Sequence, residues 1–273
     1  MHKPVLLKES IDALDLKPSA VFVDATYGGG GHSREVRKQF PTVKVIGIDQ
    51  DPKVDAITAN FRNLDKVLEE LDISSVDAIL FDLGISSDQL EESGRGFSFL
   101  KDEPLDMRMS QEGITAADIL NSWDEYAIEL VLRGFGEEKS SRKIARAIVE
   151  RRGARPFRTT FDLVEVVGER GGKIHPATRT FQALRMAVNE ELTALEIGLE
   201  KGFKVLKLNG RFAVISFHSL EDRIVKNFFR DRVKEEMAKQ ITKKPITPSA
   251  EEIKTNPRSR SAKLRVIEKY AKI

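Results

Sequence analysis

The sequence contains no cysteine. That excludes a disulfide framework, thiolate metal sites and a cysteine nucleophile, including the covalent thiol route that carbon methylation of a pyrimidine requires. No apolar run approaches the roughly 18 residues of a membrane span, and the opening MHKPVLLKES lacks the apolar stretch of a secretory signal. The expectation is a soluble, cytoplasmic protein. Histidine is scarce, with 4 scattered residues that offer no ligand cluster, so no metal centre is expected. Net charge is nearly absent at +2, yet it is distributed unevenly. Between Arg133 and Arg185 there are 13 Lys/Arg against 6 Asp/Glu, which leaves the flanks acidic. Arg142, Lys143, Arg146, Arg151, Arg152, Arg155 and Arg158 fall in one short stretch. On one face they could neutralise several phosphates; otherwise they are a solvated helix surface.

What is present is ordinary globular chemistry: 273 residues, 40% hydrophobic and 32% charged. That is enough for one large α/β domain or two smaller ones, and far from the composition of disordered chains. Residues 21–24 (VFVD), 43–49 (VKVIGID), 76–82 (VDAILFD) and 211–217 (RFAVISF) are short β-branched and aromatic runs, and three of them end on aspartate. They read as buried parallel strands, with a crossover helix over residues 33–40 between the first two. Ligands of such a sheet sit at the strand carboxyl ends. From about Thr115 to Lys207 the period becomes helical, with segments 115–121, 124–132, 137–152, 160–167 and 177–200 broken by glycine and proline. A helix over 220–239 follows, then a proline-punctuated loop. Residues 262–270 alternate as a last, antiparallel edge strand. The implied division is a sheet domain of residues 1–110 and 201–273, with an all-helical domain of 111–200 inserted into it.

The sharpest local signal is the run Asp24-Ala25-Thr26-Tyr27-Gly28-Gly29-Gly30-Gly31-His32-Ser33, a strand, a glycine turn and a helix start. Such a turn lets backbone N–H groups meet a carboxylate or phosphate at close range. A dinucleotide fingerprint needs a third glycine where Ser33 or Arg34 stands. The acid before the turn, Asp24, suits instead the ammonium of S-adenosylmethionine. The methyl donor is the favoured ligand, beside a dinucleotide or a purely structural turn. Asp49, ending the second strand, is placed to accept from both ribose hydroxyls. Phe61 is either an apolar plate for adenine or a core residue.

Several longer blocks are not demanded by packing: residues 82–90 (DLGISSDQL), 95–99 (RGFSF), 104–109 (PLDMRM), 175–185 (HPATRTFQALR), 216–223 (SFHSLEDR) and 256–261 (NPRSRS). In this order they resemble the bacterial small-subunit (16S) ribosomal RNA cytosine-N4-methyltransferase family of the MraW type, over essentially the whole chain. The resemblance implies a Rossmann-like S-adenosylmethionine-dependent methyltransferase sheet with an inserted helical domain. The implied reaction is transfer of a methyl group to the exocyclic amine of a cytosine in the decoding region. Carried over by position, the donor-binding residues are Gly30, Gly31, His32, Asp49, Phe61, Asp82 and Gln89. The segment after Asp49 is shorter than the family's, as though most of a helix were missing.

Candidate catalytic residues are Asp82, as an acceptor for the amine or as a donor-binding group only; Asp106, alternatively paired with Arg108; and His218, alternatively the cap of the next helix. His175 is expected to order a turn. Phosphate contacts are assigned to Arg142, Arg146, Arg179 and Arg185 of the insert, with Arg258 and Arg260 of the C-terminal loop. Phe97 and Phe99 are candidate stacking partners or core. The expected partner is small-subunit ribosomal RNA, within an assembled 30S subunit. Rival readings are a DNA amino-methyltransferase, a non-catalytic RNA-binding module and an oxidoreductase. The first is disfavoured because Asp82-Leu83-Gly84-Ile85 lacks the proline-rich, aromatic-ended turn of those enzymes.

Overall fold

The computed structural model describes residues 4–168 and 175–271. The chain divides into two compact units, Met1–Gly84 with Leu192–Ile273, and Ile85–Glu191. The boundaries expected at 110 and 200 therefore shift: the segment from Ile85 onward lies with the insert, and nearly all of the helix after Glu191 lies with the sheet.

The first unit is built on strands β1 (Val21–Asp24), β2 (Lys44–Asp49), β3 (Ile57–Thr58), β4 (Val76–Asp82), β5 (Leu206–Ser216), β6 (Ala238–Gln240) and β7 (Lys263–Lys269). Their order is β3-β2-β1-β4-β5-β7-β6. The first five are mutually parallel, and β7 runs antiparallel to both β5 and β6. This is the α/β sheet that the residue pattern implies, with the Rossmann-like architecture that the resemblance implies. Alternate residues supply two cores, as strands buried on both faces require. Phe22, Ala78, Leu80, Ala213 and Ile215 pack with helices α1 (Leu7–Leu14) and α2 (Gly31–Gln39). Val23, Ile48, Ile79, Phe81 and Phe212 face the other way, onto α3 (Leu64–Glu70) and two helices that follow the insert.

The insert contains α4 (Ser87–Glu92), α5 (Ala116–Ser122), α6 (Glu125–Gly136), α7 (Ser141–Ala154), α8 (Thr160–Val167) and α9 (Ala177–Val188). They close around a core of their own that includes Phe97, Met107, Ile119, Leu132, Ile148, Phe157 and Leu184. Gly136 admits α9 closely: a Cβ there would lie 2.6 Å from the Arg179 carbonyl oxygen. Returning to the sheet unit, α10 (Glu191–Val205) and α11 (Ser219–Lys234) complete the second layer, and α12 (Ala250–Thr255) precedes β7. Gly198 and Gly202, one turn apart, seat α10 on the aromatic rings beneath it. A Cβ would lie 2.6 Å from Phe61 Cδ2 at the first and 2.7 Å from Phe212 Cε1 at the second.

Three expectations change. The helix read over 177–200 is broken after Val188, where Glu190 takes φ 48°. The Asn189 amide donates to the Met107 and Arg185 carbonyls, each at 2.8 Å, and its oxygen accepts from Met109 N–H, which ends α9 by side-chain competition. The helix read over 220–239 stops at Lys234, because residues 238–240 pair with β7. For the same reason β7 is not an edge strand. Between Asp49 and β3 no described helix occurs, consistent with the short interval.

Candidate active site

The turn after β1 is pinned to its neighbours. Ala25 N–H donates to Leu80 O on β4 at 3.0 Å and Tyr27 N–H to Ile48 O on β2 at 2.9 Å. Gly30 N–H closes the turn on Tyr27 O at 2.7 Å. Only glycine suits the two positions that follow from this. Gly30 has φ 67° with the Tyr27 ring where a Cβ would go, and a Cβ on Gly31 would lie 2.2 Å from Pro4 Cγ. At Gly29 nothing approaches the Cβ position within 4 Å, so that stretch of backbone is open. Helix α2 begins at Gly31, and its first-turn N–H groups have no intrahelical acceptor.

Three carboxylates end the strands beside this turn. Asp49 Oδ2 accepts from Gly28 N–H at 2.7 Å and Oδ1 from Asp51 N–H at 2.9 Å, so the second strand end holds the glycine turn directly. Burial raises its pKa, opposed by those two N–H bonds. Asp24 is 1% exposed, accepts from Ser33 Oγ at 2.7 Å, and is pushed by burial up to about 6 against the pull of the Ser33 bond. Asp82 is raised well above the ordinary carboxylate range, first by burial and then by the negative charges of Asp24 and Glu221. Its backbone N–H donates to Thr26 Oγ1 at 2.6 Å. One oxygen of each, Asp24 Oδ1 and Asp82 Oδ1, is buried without a hydrogen-bond partner in the protein. Buried acceptors of that kind call for a polar ligand. His32, 5% exposed, sets Nε2 3.2 Å from Val5 O and Nδ1 3.7 Å from Asp82 Oδ2.

The open glycine backbone, the strand-end carboxylate at Asp49 and the two orphan acceptors fit S-adenosylmethionine, with its carboxylate, ribose diol and ammonium. They do not fit a pyrophosphate, which three strand-end carboxylates would repel.

The other expected residues are distributed as follows. Phe61 opens a 3-10 turn, Phe61–Asn63, with its ring 4.8 Å from that of Phe81 and against Gly198. It is half-buried core packing with one flank outward. Gln89 forms a capping box with Ser86 at the start of α4, each bond 3.1 Å. Asp106 is locked to Arg108: burial works against its charge, but the Arg108 Nε and Nη2 bonds at 2.8 Å outweigh it and hold the pKa low. Such a group is a poor proton acceptor. His218 caps α11, its Nδ1 accepting from Glu221 N–H at 3.4 Å. Glu221, 3% exposed, returns Oε2 to Phe217 N–H at 2.8 Å and His218 N–H at 3.3 Å. Its part in the field at Asp82 was not read from sequence, although the His-x-x-Glu spacing is the signature of that reciprocal cap.

The basic run does not share one face. Arg151 and Arg155 both turn to Asp162, and Arg152 caps α5 through the Leu120 and Trp123 carbonyls at 2.9 and 2.6 Å. Arg185 makes a bidentate pair with Glu191 at 2.7 and 2.9 Å, at side-chain exposures of only 15% and 12%. That geometry removes it from the set suited to phosphate. Arg142 and Arg146 stand exposed on α7, the latter linked to Glu150; Arg179 reaches Glu137 O at 3.3 Å; Arg258 and Arg260 are exposed on the 3-10 turn Pro257–Ser261. Phe97 is core. Phe99 is stacked on His175 at 4.4 Å, and His175 Nδ1 accepts from Ala177 N–H at the start of α9.

The model of the MraW methylase family matches residues 1–270. The chain belongs to the MraW methylase family. Among MraW relatives, ribosomal RNA small subunit methyltransferase H of Clostridium botulinum (strain Kyoto / Type A2) is 47% identical over 306 aligned residues, covering 98% of each chain. The protein of the same name from Sulfurihydrogenibium sp. (strain YO3AOP1) is 47% identical over 287, covering 97% of this chain and 98% of its own. An rRNA methylase of known structure from Streptococcus thermophilus aligns with TM-score 0.46 at 11% identity over 99% of both chains. Among the described residues, no helix of this MraW-family protein is long and apolar enough to cross a membrane.

Proposed function

We propose that this protein transfers the methyl group of S-adenosylmethionine to the exocyclic N4 amine of a cytosine in the decoding region of small-subunit ribosomal RNA, within the assembled 30S subunit. The observation that carries the reading is the meeting of the open glycine turn with Asp49 and Asp82 at the carboxyl edge of β1, β2 and β4. The full-length match to relatives named as small-subunit rRNA methyltransferases supports the choice of acceptor.

In this reading Asp49 accepts from the ribose hydroxyls while continuing to hold Gly28 and Asp51. The turn amides meet the amino-acid carboxylate, and Asp24 faces the ammonium. Bound there, S-adenosylmethionine supplies an electrophilic methyl group on a sulfonium. The cytosine amine is a weak nucleophile, because its lone pair is delocalised into the ring. A buried acceptor on its N–H restores electron density to nitrogen and then receives the proton. Asp82 Oδ1, buried and unpartnered, is that acceptor. No thiol nucleophile is required, in agreement with a sequence free of cysteine. Arg142, Arg146 and Arg179 of the insert, with Arg258 and Arg260, contact phosphates and present an unpaired, splayed-out cytosine.

The test offers small subunits, naked ribosomal RNA and DNA to the protein with methyl-labelled donor, followed by digestion to nucleosides. Label in N4-methylcytidine from the small subunit is expected. Transfer to DNA alone, or to a ring carbon, overturns the proposal.

A further inference from the structure

His32 is more than a wall of the donor pocket. Its Nε2 lies 3.2 Å from the carbonyl oxygen of Val5, and a carbonyl can only accept, so Nε2 carries the hydrogen. In the neutral ring Nδ1 then carries no hydrogen, and it lies 3.7 Å from Asp82 Oδ2. Two acceptors face one another unless a proton lies between them. The His32 side chain is 6% exposed and that of Asp82 23%, with Asp82 Oδ1 buried. Burial favours the uncharged arrangement, a carboxylic acid donating to a neutral imidazole, over an ion pair.

The groups around Asp82 favour the same arrangement. Asp24 on β1 and Glu221 on α11 oppose a negative charge on Asp82. Asp24 is itself under the influence of Arg37 on α2, and it acts in turn on Asp49 on β2. A negative field that penalises carboxylate also favours a cation on the neighbouring imidazole.

We propose that His32 is a positioning residue that turns Asp82 into a proton conduit: Asp82 rests protonated on Oδ2, and His32 Nδ1 is the sink for the proton displaced during methyl transfer. This rests on the methyltransferase reading above. The amine nitrogen forms its bond to the methyl carbon, and the electron pair of the breaking carbon–sulfur bond stays on sulfur. The excess proton on nitrogen passes to Asp82 Oδ1. The Oδ2 proton passes to His32 Nδ1, leaving an imidazolium that later returns one proton to solvent. The 3.7 Å separation exceeds a hydrogen bond; catalytic bonds of this kind tighten when substrate closes the site.

The test has a readout that does not depend on turnover. Nitrogen-15 spectra of the imidazoles in the full chain, assigned with His2→Gln, His32→Gln, His175→Gln and His218→Gln, report the tautomer of His32. An Nε2–H tautomer is expected, with an Nδ1 resonance that moves when Asp82 becomes Ala. An Nδ1–H tautomer, or an Nδ1 resonance indifferent to Asp82→Ala, overturns the proposal. His32→Gln keeps a donor for the Val5 carbonyl and removes the basic nitrogen facing Asp82. Its kcat is expected to fall about 100-fold, with KM for S-adenosylmethionine within about twofold, and the acid limb of the kcat–pH profile should vanish. A raised donor KM with kcat and the acid limb intact would make His32 a binding residue only. Wild-type protein that transfers nothing to small subunits would instead refute the methyltransferase reading, whatever the tautomer.

Discussion

Asp49→Asn separates the structural duty of this carboxylate from its duty to a ligand. In the wild type each oxygen already accepts one backbone N–H, from Gly28 at 2.7 Å and from Asp51 at 2.9 Å. The asparagine amide has only one oxygen. Whichever way it turns, its NH2 group faces one of those N–H donors, so one partly buried amide loses its partner at a cost of about 1–3 kcal/mol. The ribose hydroxyls lose in addition a charged acceptor shared between them, about 2–3 kcal/mol, or roughly 30- to 150-fold in Kd. Denaturant unfolding without ligand measures the first term, and calorimetric titration with S-adenosylhomocysteine measures the second. Both deficits are expected, with the binding loss the larger. A variant with wild-type stability and wild-type affinity would refute the reasoning, since it would mean that the carboxylate neither holds the turn nor meets the sugar. Lost stability with unchanged affinity would leave Asp49 a strand-end clamp.

Asp24→Asn tests the buried charge. An acid raised in the fold from 3.8 to about 6 contributes stability that is complete below its unfolded value and disappears as pH rises through 6. Ligand-free wild type should therefore lose about 2.4 kcal/mol relative to the variant between pH 4 and 7, measured by denaturant midpoints; a constant difference across that range contradicts the burial argument. Gly198→Ala gains roughly 1 kcal/mol of helix propensity but drives a methyl to 2.6 Å from Phe61. A net loss of about 1 kcal/mol is expected from the overpacking, and a stabilised variant would show that α10 does not bear on that ring. Arg185→Ala breaks a bidentate pair at low exposure and should cost about 3 kcal/mol of stability with little change in RNA affinity. The double change Arg142→Ala with Arg146→Ala should do the reverse: unchanged unfolding, weaker RNA binding and a salt slope smaller by about 2. Equal effects of the two sets on RNA affinity would contradict the division of the basic run.

Much of the sheet was readable from residues because its strands are buried on both faces. Val21–Asp24, Lys44–Asp49 and Val76–Asp82 are apolar runs with an aspartate at the ligand edge, and no helix pattern competes with them. The exposed pair Ile57–Thr58 carries no such signal. Residues Ala238–Gln240 have helix-forming side chains and join the sheet through pairing with β7, helped by the Lys239–Glu268 ion pair at 2.6 Å. Tertiary pairing overrides local propensity there. In the site, the glycine turn and Asp49 were legible from their spacing, whereas the fate of each arginine was not. Arg151 and Arg155 face Asp162, and Arg185 faces Glu191, because of how helices end and chain segments return, which composition does not encode. Phe97 and Phe99 illustrate the same limit: an aromatic pair reads alike as a stacking surface or as core.

The insert has a temporal consequence for biosynthesis. Strand β4 pairs on one side with β1, but its other neighbour is β5, and residues 83–205 must be synthesised before that partner begins. At roughly 5–20 residues per second this is a wait of about 6–25 s. Throughout it the nascent chain presents the unpaired rim of Val76–Asp82, an apolar strand at the centre of the sheet, to the crowded surroundings of the ribosome. A chaperone that shields strand rims, or early closure of the helical insert around its own core, would then govern the yield of active protein more than equilibrium stability does.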